Sequence, residues 1–275
     1  MPSRSATADY GDISLRILLD FALDAAWQAG KITLEYFQTD TAVERKADAS
    51  PVTLADRRAE EKLRACIQRH FPAHGILGEE FGEVQGRTPY RWIVDPLDGT
   101  RSFIRGVPLY GVLMGLEYEG RALLGVVHFP ALGDTVYAAK GEGCYWNGRR
   151  THVSAVSRLE EALVTATSVR SLHEEGGGRV FEILQAQTYL QRTWGDCYGH
   201  MLVATGRAEI MLDPILNIWD CAAIQPILEE AGGTFTDWNG TPTHTGGNGF
   251  STNGHLFQAV MDIIRSNREP ASKMP

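Results

Sequence analysis

Arg91-Trp92-Ile93-Val94-Asp95-Pro96-Leu97-Asp98-Gly99-Thr100-Arg101 runs from a short apolar strand into two acids three apart, then into a Gly-Thr pair able to open a helix. A strand that gives way to a helix N-terminus presents side-chain oxygens and free N–H groups together. A cation and a phosphate can then be held at one end of a sheet. Pro96 stiffens the turn between the acids. Two carboxylates facing one pocket repel unless a proton or a cation sits between them, and oxygen ligands without His or Cys favour magnesium or manganese over zinc. The local alternative is that Asp95 and Asp98 cap a turn and a helix.

Outward from this stretch, the 275 residues are 43% hydrophobic and 22% charged, near globular averages, with core enough for one compact unit. A net charge of -8 argues against a broad nucleic-acid surface and means that a small anionic substrate needs local cations. Cys66, Cys144, Cys197 and Cys221 have neither CxxC nor framework spacing, as expected of reduced thiols. Asp9, Asp12 and Asp20 interrupt the N-terminal apolar residues, unlike a signal or transit peptide, and no apolar span reaches membrane length. The reading is a cytoplasmic protein without a membrane partner.

Taken in order, apolar residues three or four apart predict a helix from Asp12 to about Gln38. Lys46 reads as a solvated loop charge. Thr53 caps a second helix, with Asp56 placed to reach back to the cap or to act in catalysis. Glu79-Glu80, taken alone, reads as a solvated face, and Phe81 to Pro89 as a mobile loop. Strands are expected over Leu109 to Tyr118, Ala122 to His128 and Thr135 to Ala139, with a hairpin turn at Asn147-Gly148. Further on come a strand at Ala162 to Thr167, a helix through Phe181, Leu184 and Leu190, a helix over 198–206, a strand from Ala208 to Leu212, and a helix opened by Trp219-Asp220 and closed by Gly232-Gly233. A strand from Thr234 to Asp237, another from Phe250 to Thr252 and a helix from Gly254 to about Arg265 complete it. Gly176-Gly177-Gly178 follows no strand, which rules out a dinucleotide fingerprint. Alternating helices and strands give an α/β layered architecture.

Gly78-Glu79-Glu80, Trp92-Ile93-Val94-Asp95-Pro96-Leu97-Asp98-Gly99-Thr100 and Trp219-Asp220, followed by Glu230-Ala231-Gly232-Gly233, resemble the signature blocks of the inositol-monophosphatase family of magnesium-dependent, lithium-sensitive phosphatases. The likeness runs over nearly the whole chain. It implies an αβαβα sandwich of the sugar-phosphatase type with mixed sheets. One unit spans 1–275, with a metal-binding half to about residue 150 and a specificity half beyond. It further implies a homodimer and two or three magnesium ions, replaceable by manganese and inhibited by lithium. Carried over by position, the metal ligands are Glu79, Asp95, the Leu97 carbonyl, Asp98 and Asp220, with Asp95 bridging two ions. Glu79 counts with Thr100 and Asp56 among the catalytic residues. The resemblance has Thr100, paired with Asp56, orient and help deprotonate a water for in-line attack on phosphorus. Gly99 and Thr100 are expected to give N–H groups to the phosphate.

Within the family, Asp98-Gly99-Thr100-Arg101-Ser102-Phe103-Ile104 and Gly195-Asp196-Cys197-Tyr198-Gly199 resemble the histidinol-phosphate phosphatases. Arg101 stands where inositol enzymes commonly carry Thr. Histidinol phosphate bears an ammonium and an imidazole that a carboxylate can pair with, whereas inositol offers only hydroxyls. Asp196, Asp213 and Arg192 are therefore expected to line the leaving-group pocket beside Arg101, the alternative for Asp196 being a helix cap. The expected partner is a small phosphorylated metabolite, with inositol phosphate as the competing substrate.

Overall fold

Helix α1 (Leu15–Tyr36) forms on a stripe of Leu18, Leu19, Ala22, Ala25, Ala26, Ala29 and Gly30, all buried, and starts at Ser14, whose hydroxyl accepts from the Arg16 N–H. The structure, a computed structural model, describes residues 13–46 and 50–271, so the expected start at Asp12 lies outside the described residues. A small hairpin of β1 (Val43–Arg45) and β2 (Pro51–Thr53) leads into α2 (Leu54–His70). There the predicted capping box is present, with Thr53 and Asp56 satisfying each other's backbone.

The chain then lays down β3 (Gly75–Gly78), β4 (Gly82–Val84), β5 (Tyr90–Asp98), the one-turn helix α3 (Thr100–Phe103), β6 (Gly111–Tyr118), β7 (Arg121–Phe129), β8 (Asp134–Ala139), β9 (Gly143–Trp146) and β10 (Arg149–Thr151). The strands form one sheet in the order β10-β9-β8-β7-β6-β5-β3-β4. All neighbours are antiparallel except β3 and β5. Part of the stretch expected to be a mobile loop is therefore an edge strand: Gly82 to Val84 are exposed but pair with β3. Asn147 and Gly148, both at positive φ, make the hairpin turn between β9 and β10, as their dipeptide chemistry requires.

A second set follows: β11 (Leu163–Ala166), α4 (Val169–Glu174), α5 (Gly178–Gln187), β12 (Leu190–Arg192), α6 (Asp196–Ala204), β13 (Ile210–Asp213), α7 (Ile218–Cys221), α8 (Ile224–Glu230), β14 (Thr234–Thr236), β15 (Gly249–Thr252) and α9 (Phe257–Asn267). Its strands make a mixed sheet in the order β12-β11-β13-β15-β14. Leu190 is not in the helix of Phe181 and Leu184. Thr188 turns extended at the end of α5 and its hydroxyl bonds back to the Leu184 carbonyl, so the chain leaves for the edge strand β12.

Side-chain alternation along β6 shows the layering. Val112, Met114 and Leu116 join a core with α1 and α2, while Leu113 faces the opposite core with α6 and α8. The second sheet covers that inner helix layer, and its outer face packs Val164, Ile210, Leu212 and Phe250 against Val180, Leu184, Val260 and Ile264 of α5 and α9. The order helix, sheet, helix, sheet, helix is the αβαβα sandwich. Among the described residues no helix is long and apolar enough to cross a membrane.

One packing detail positions the site. Gly115 and Gly125 face each other across β6 and β7, and a Cβ on either would collide with Ala222 or Ala223. The bare backbone lets the α7–α8 junction lie directly on the first sheet, which brings Asp220 up to the end of β5.

Candidate active site

Pro96 has no N–H for the ladder, and the β5–β6 register slips there, pairing Asp95 with Leu113 but Asp98 with Gly111. Asp95 Oδ1 accepts the Leu97 N–H at 2.9 Å across the bulge. Gly99 then takes φ +82° to open α3, and a Cβ there would stand 3.2 Å from both Asp196 Oδ2 and the Leu109 carbonyl. Asp220 arrives from α7, its Oδ2 accepting the Asn217 N–H at 2.6 Å in a second capping box.

Carboxylate oxygens of Asp95, Asp98 and Asp220 lie within 4.8 Å of one another. Such crowding calls for a cation or for protons. Burial, then the charges of Glu79, Asp98 and Asp220, hold Asp95 well above the carboxylate range. Burial and Asp220 push Asp98 up to about 6, against the opposing pull of Cys197. Asp220 rises to about 7, again chiefly through burial. The neighbouring thiols Cys197 and Cys221 are pushed well up by burial and stay protonated, which leaves hard oxygen donors only. That donor set fits magnesium or manganese.

Glu79 lines the same cleft of about 210 Å³ as Asp95, Leu97, Asp98, Thr100 and Asp220. It stands outside the close trio because Lys46 holds it: Nζ lies 2.7 Å from Glu79 Oε1 and 2.6 Å from Glu80 Oε1. Lys46 is thus a bridging cation and not a solvated loop charge. Its two carboxylates keep it protonated despite partial burial. Burial raises Glu79 to about 7, with Lys46 opposing.

Beneath this pair sits a clamp that sequence reasoning missed. Glu60, fully buried on α2, accepts the Glu80 N–H at 2.7 Å, the Phe81 N–H at 3.2 Å and Arg64 Nε at 2.7 Å, while Arg64 also donates to the Gly82 carbonyl. A Cβ at Gly78 would collide with the Glu60 carboxylate. The turn that presents Glu79 is therefore fixed from behind. An acid and a base at positions 60 and 64, on the same stripe as Ala59, Leu63 and Ile67, were the available signal.

Thr100 Oγ1 donates to Asp56 Oδ1 at 3.2 Å and to the Leu97 carbonyl at 3.0 Å. Asp56 is at once the capping residue and the partner of Thr100: its Oδ2 takes the Thr53 N–H at 2.8 Å and the Thr53 hydroxyl at 2.6 Å. Burial raises its pKa.

Asp196 opens α6 at φ +52°, with Gly195 as the cap residue, so its carboxylate does not cap the helix. Burial, with the Asp98 charge, raises it to about 7, and Arg101 pulls it back. The next N–H, of Cys197, donates to Asp98 Oδ2 at 2.6 Å, joining the two sheets' ends at the cleft. Asp213, at the end of β13, is linked to the same turn by a hydroxyl not foreseen: Thr167 donates to Asp213 Oδ2 at 2.6 Å and accepts the Asp196 N–H at 2.9 Å. Asp196, Asp213, Thr167, Arg101 and Trp194 line a cavity of about 960 Å³ beside the cleft. Arg192 does not line it. Its guanidinium stacks 5.8 Å from the Trp194 ring and donates to the Gln191 carbonyl, for β12 ends one residue short of that wall.

This geometry has relatives. The sequence pattern of the inositol monophosphatase family matches residues 14–268. The histidinol-phosphatase of Chlorobaculum parvum is 48% identical over 84% of this chain and 90% of its own length; that of Streptomyces coelicolor is 37% identical over 92% and 96%. Among solved structures, the extragenic suppressor protein suhB of Bartonella henselae superposes with a TM-score of 0.84 at 30% identity, covering 90% of this chain and 98% of that one. An inositol monophosphatase of Thermotoga maritima gives 0.83 at 30% identity, over 91% and 97%. With its pattern matched almost end to end and its acids gathered at one cleft, the chain belongs to the inositol monophosphatase family.

Proposed function

We propose that the protein is a magnesium-dependent histidinol-phosphatase, converting histidinol phosphate and water to histidinol and phosphate. The observation that carries this reading is the pair of acids, half-buried Asp196 and buried Asp213, in the cavity that opens beside the metal cleft. A leaving group with an ammonium and an imidazole finds carboxylate partners there, desolvated enough for each charge-assisted bond to be worth roughly 1.5–3 kcal/mol. The likeness to two histidinol-phosphatases over most of the chain supports the same substrate.

Each residue has a task in this reading. Asp95, Asp98 and Asp220, with Glu79 and the Leu97 carbonyl lining the same cleft, would hold the ions, and Glu79 would have to give up its Lys46 contact to take part. What magnesium supplies when bound is charge neutralisation on the phosphoryl and leaving oxygens and a more acidic water. Thr100, its hydrogen committed to Asp56 and the Leu97 carbonyl, offers lone pairs to the attacking water and passes a proton toward the buried Asp56 carboxylate. The N–H groups at Gly99 and Thr100 would be offered to the phosphate, that of Gly99 in competition with the Asp98 carboxylate it already meets. Arg101, at the junction of cleft and cavity, pairs with the phosphate.

The reading includes a cytoplasmic homodimer, two or three magnesium ions per chain, manganese as a substitute and inhibition by lithium; sedimentation equilibrium and lithium titration test the first and last of these. Phosphate release from histidinol phosphate tests the activity itself. It should require magnesium and vanish with a chelator; no release at millimolar magnesium would reject the proposal.

A further inference from the structure

Thr167, one residue past the end of β11, lines the leaving-group cavity together with its two acids. A threonine hydroxyl has one hydrogen. Here it goes to Asp213 Oδ2 at 2.6 Å, so the Asp196 N–H, at 2.9 Å, is taken by a lone pair of the same oxygen. Gly195 lets the two turns approach, for a Cβ there would stand 2.2 Å from Thr167 Cα and 2.8 Å from its Oγ1. Asp196 holds φ +52°, in the left-handed region that favours glycine, and the bond to its N–H helps to keep it there. Asp213 depends on the hydroxyl for a second reason. It is 4% exposed, and among the described residues its carboxylate meets besides Thr167 the Ile215 N–H, at the long distance of 3.5 Å. Burial, with the charges of Asp196, Asp220 and Asp98, drives Asp213 well above the carboxylate range, and the Thr167 bond pulls the other way. A buried carboxyl left without a donor takes up a proton and offers a cationic ligand no charge.

We propose that Thr167 is a positioning residue for specificity: by orienting the Asp213 carboxylate and fixing the Asp196 turn, it makes the cavity select cationic leaving groups over neutral ones, which rests on the leaving-group role given above to the two acids. With Oδ2 held by Thr167, Oδ1 of Asp213 keeps acceptor capacity for an ammonium or imidazolium. The hydroxyl acts through its two bonds and not through bulk. Valine repeats the branching of threonine without the hydroxyl, so T167V strips the donor from Asp213 and the acceptor from the Asp196 N–H at once. Serine lacks the methyl group but keeps both bonds, so T167S is the variant that should behave like the native chain.

Amide hydrogen exchange in metal-free, ligand-free protein reads the turn without catalysis. The Asp196 N–H should exchange about tenfold faster in T167V than in the native chain, as expected when one hydrogen bond is lost, and T167S should restore its protection. Unchanged protection along β5, in the other sheet, would show that T167V folds. With magnesium bound, 3-aminopropyl phosphate and propyl phosphate then compare a cationic with a neutral leaving group without assuming histidinol. The native chain should favour the amine ester about tenfold or more in kcat/KM, the value of one charge-assisted bond. T167V should lose most of that preference, the loss falling in KM for the amine ester and not in kcat, and T167S should keep it. Native-like Asp196 exchange in T167V, or an amine preference that survives in T167V, would overturn the inference alone. A native chain without the preference would overturn it together with the leaving-group role of the two acids. A chain that favours the amine ester but not histidinol phosphate would leave the inference standing and reject that substrate.

Discussion

The metal cleft and the leaving-group cavity meet at Arg101, yet they are made in different ways. The cleft is a backbone construction. A proline bulge, a left-handed glycine and a glycine pair that admits α7 set Asp95, Asp98 and Asp220 against one another. The cavity is a side-chain construction, in which the Thr167 hydroxyl ties the Asp196 turn to Asp213 across two strand ends. Backbone geometry tolerates little variation, whereas a hydroxyl and two carboxylates can be exchanged without moving a strand. On the proposed function, the cleft sets the reaction type and the cavity the choice of substrate.

The sharpest way to break that division is to damage the cleft. Asp95→Asn should lower kcat/KM on every phosphate ester by roughly 10⁴ or more, since on the proposed function Asp95 is a metal ligand and its loss forfeits metal assistance. The cavity should not rescue any substrate, and selective survival of one ester would contradict the division. Thr100→Ala should cost about 10²–10⁴ in kcat, the range for positioned proton transfer. The double variant with Asp56→Asn should lose no more, because the two act as one unit; multiplicative losses in steady-state rates would show separate roles.

Smaller effects probe the supports. Glu60→Gln should weaken magnesium binding about tenfold by calorimetry, as outer-shell partners of ligands do. It should also cost roughly 3–5 kcal/mol in denaturant unfolding, because Arg64 loses its buried partner. Unchanged magnesium affinity would detach the clamp from the site.

In metal-free protein the cleft acids bind more protons folded than unfolded, since burial raises Asp98 from 3.8 to about 6 and Asp220 from 3.8 to about 7. Their contribution to stability is complete below about pH 4 and is lost as pH rises through 6 to 7. The melting temperature with chelator should therefore fall by a few degrees between pH 5.5 and pH 8, and saturating magnesium should abolish the fall. A flat chelator profile would mean that the trio does not carry this charge load.

Much of the cleft was legible in the sequence because Asp95 and Asp98 lie in one contiguous block, with Glu79 and Asp220 in two further short blocks at Gly78-Glu79-Glu80 and Trp219-Asp220. Asp56 was legible only as an ambiguity between cap and catalyst, and its carboxylate is seen to close the capping box while accepting a hydrogen bond from Thr100. Lys46, Glu60 and Thr167 escaped because their partners lie 33, 20 and 46 residues away and no local pattern points across such gaps. The edge strands β4 and β12 escaped for a related reason. They are short and half or fully exposed, so period-two alternation has nothing to mark, and pairing with β3 and β11 alone defines them.

The central claim is that the cleft performs the reaction and Asp196 selects the substrate. It is tested most directly by kcat/KM for histidinol phosphate and inositol 1-phosphate, at matched magnesium, in the native chain and in Asp196→Asn. The account predicts at least a tenfold preference for histidinol phosphate in the native chain. In the variant that preference should collapse through loss on histidinol phosphate, by about 10–100-fold for one charge-assisted bond, with inositol 1-phosphate little changed. A native preference for inositol 1-phosphate, or equal losses on both substrates, would contradict it.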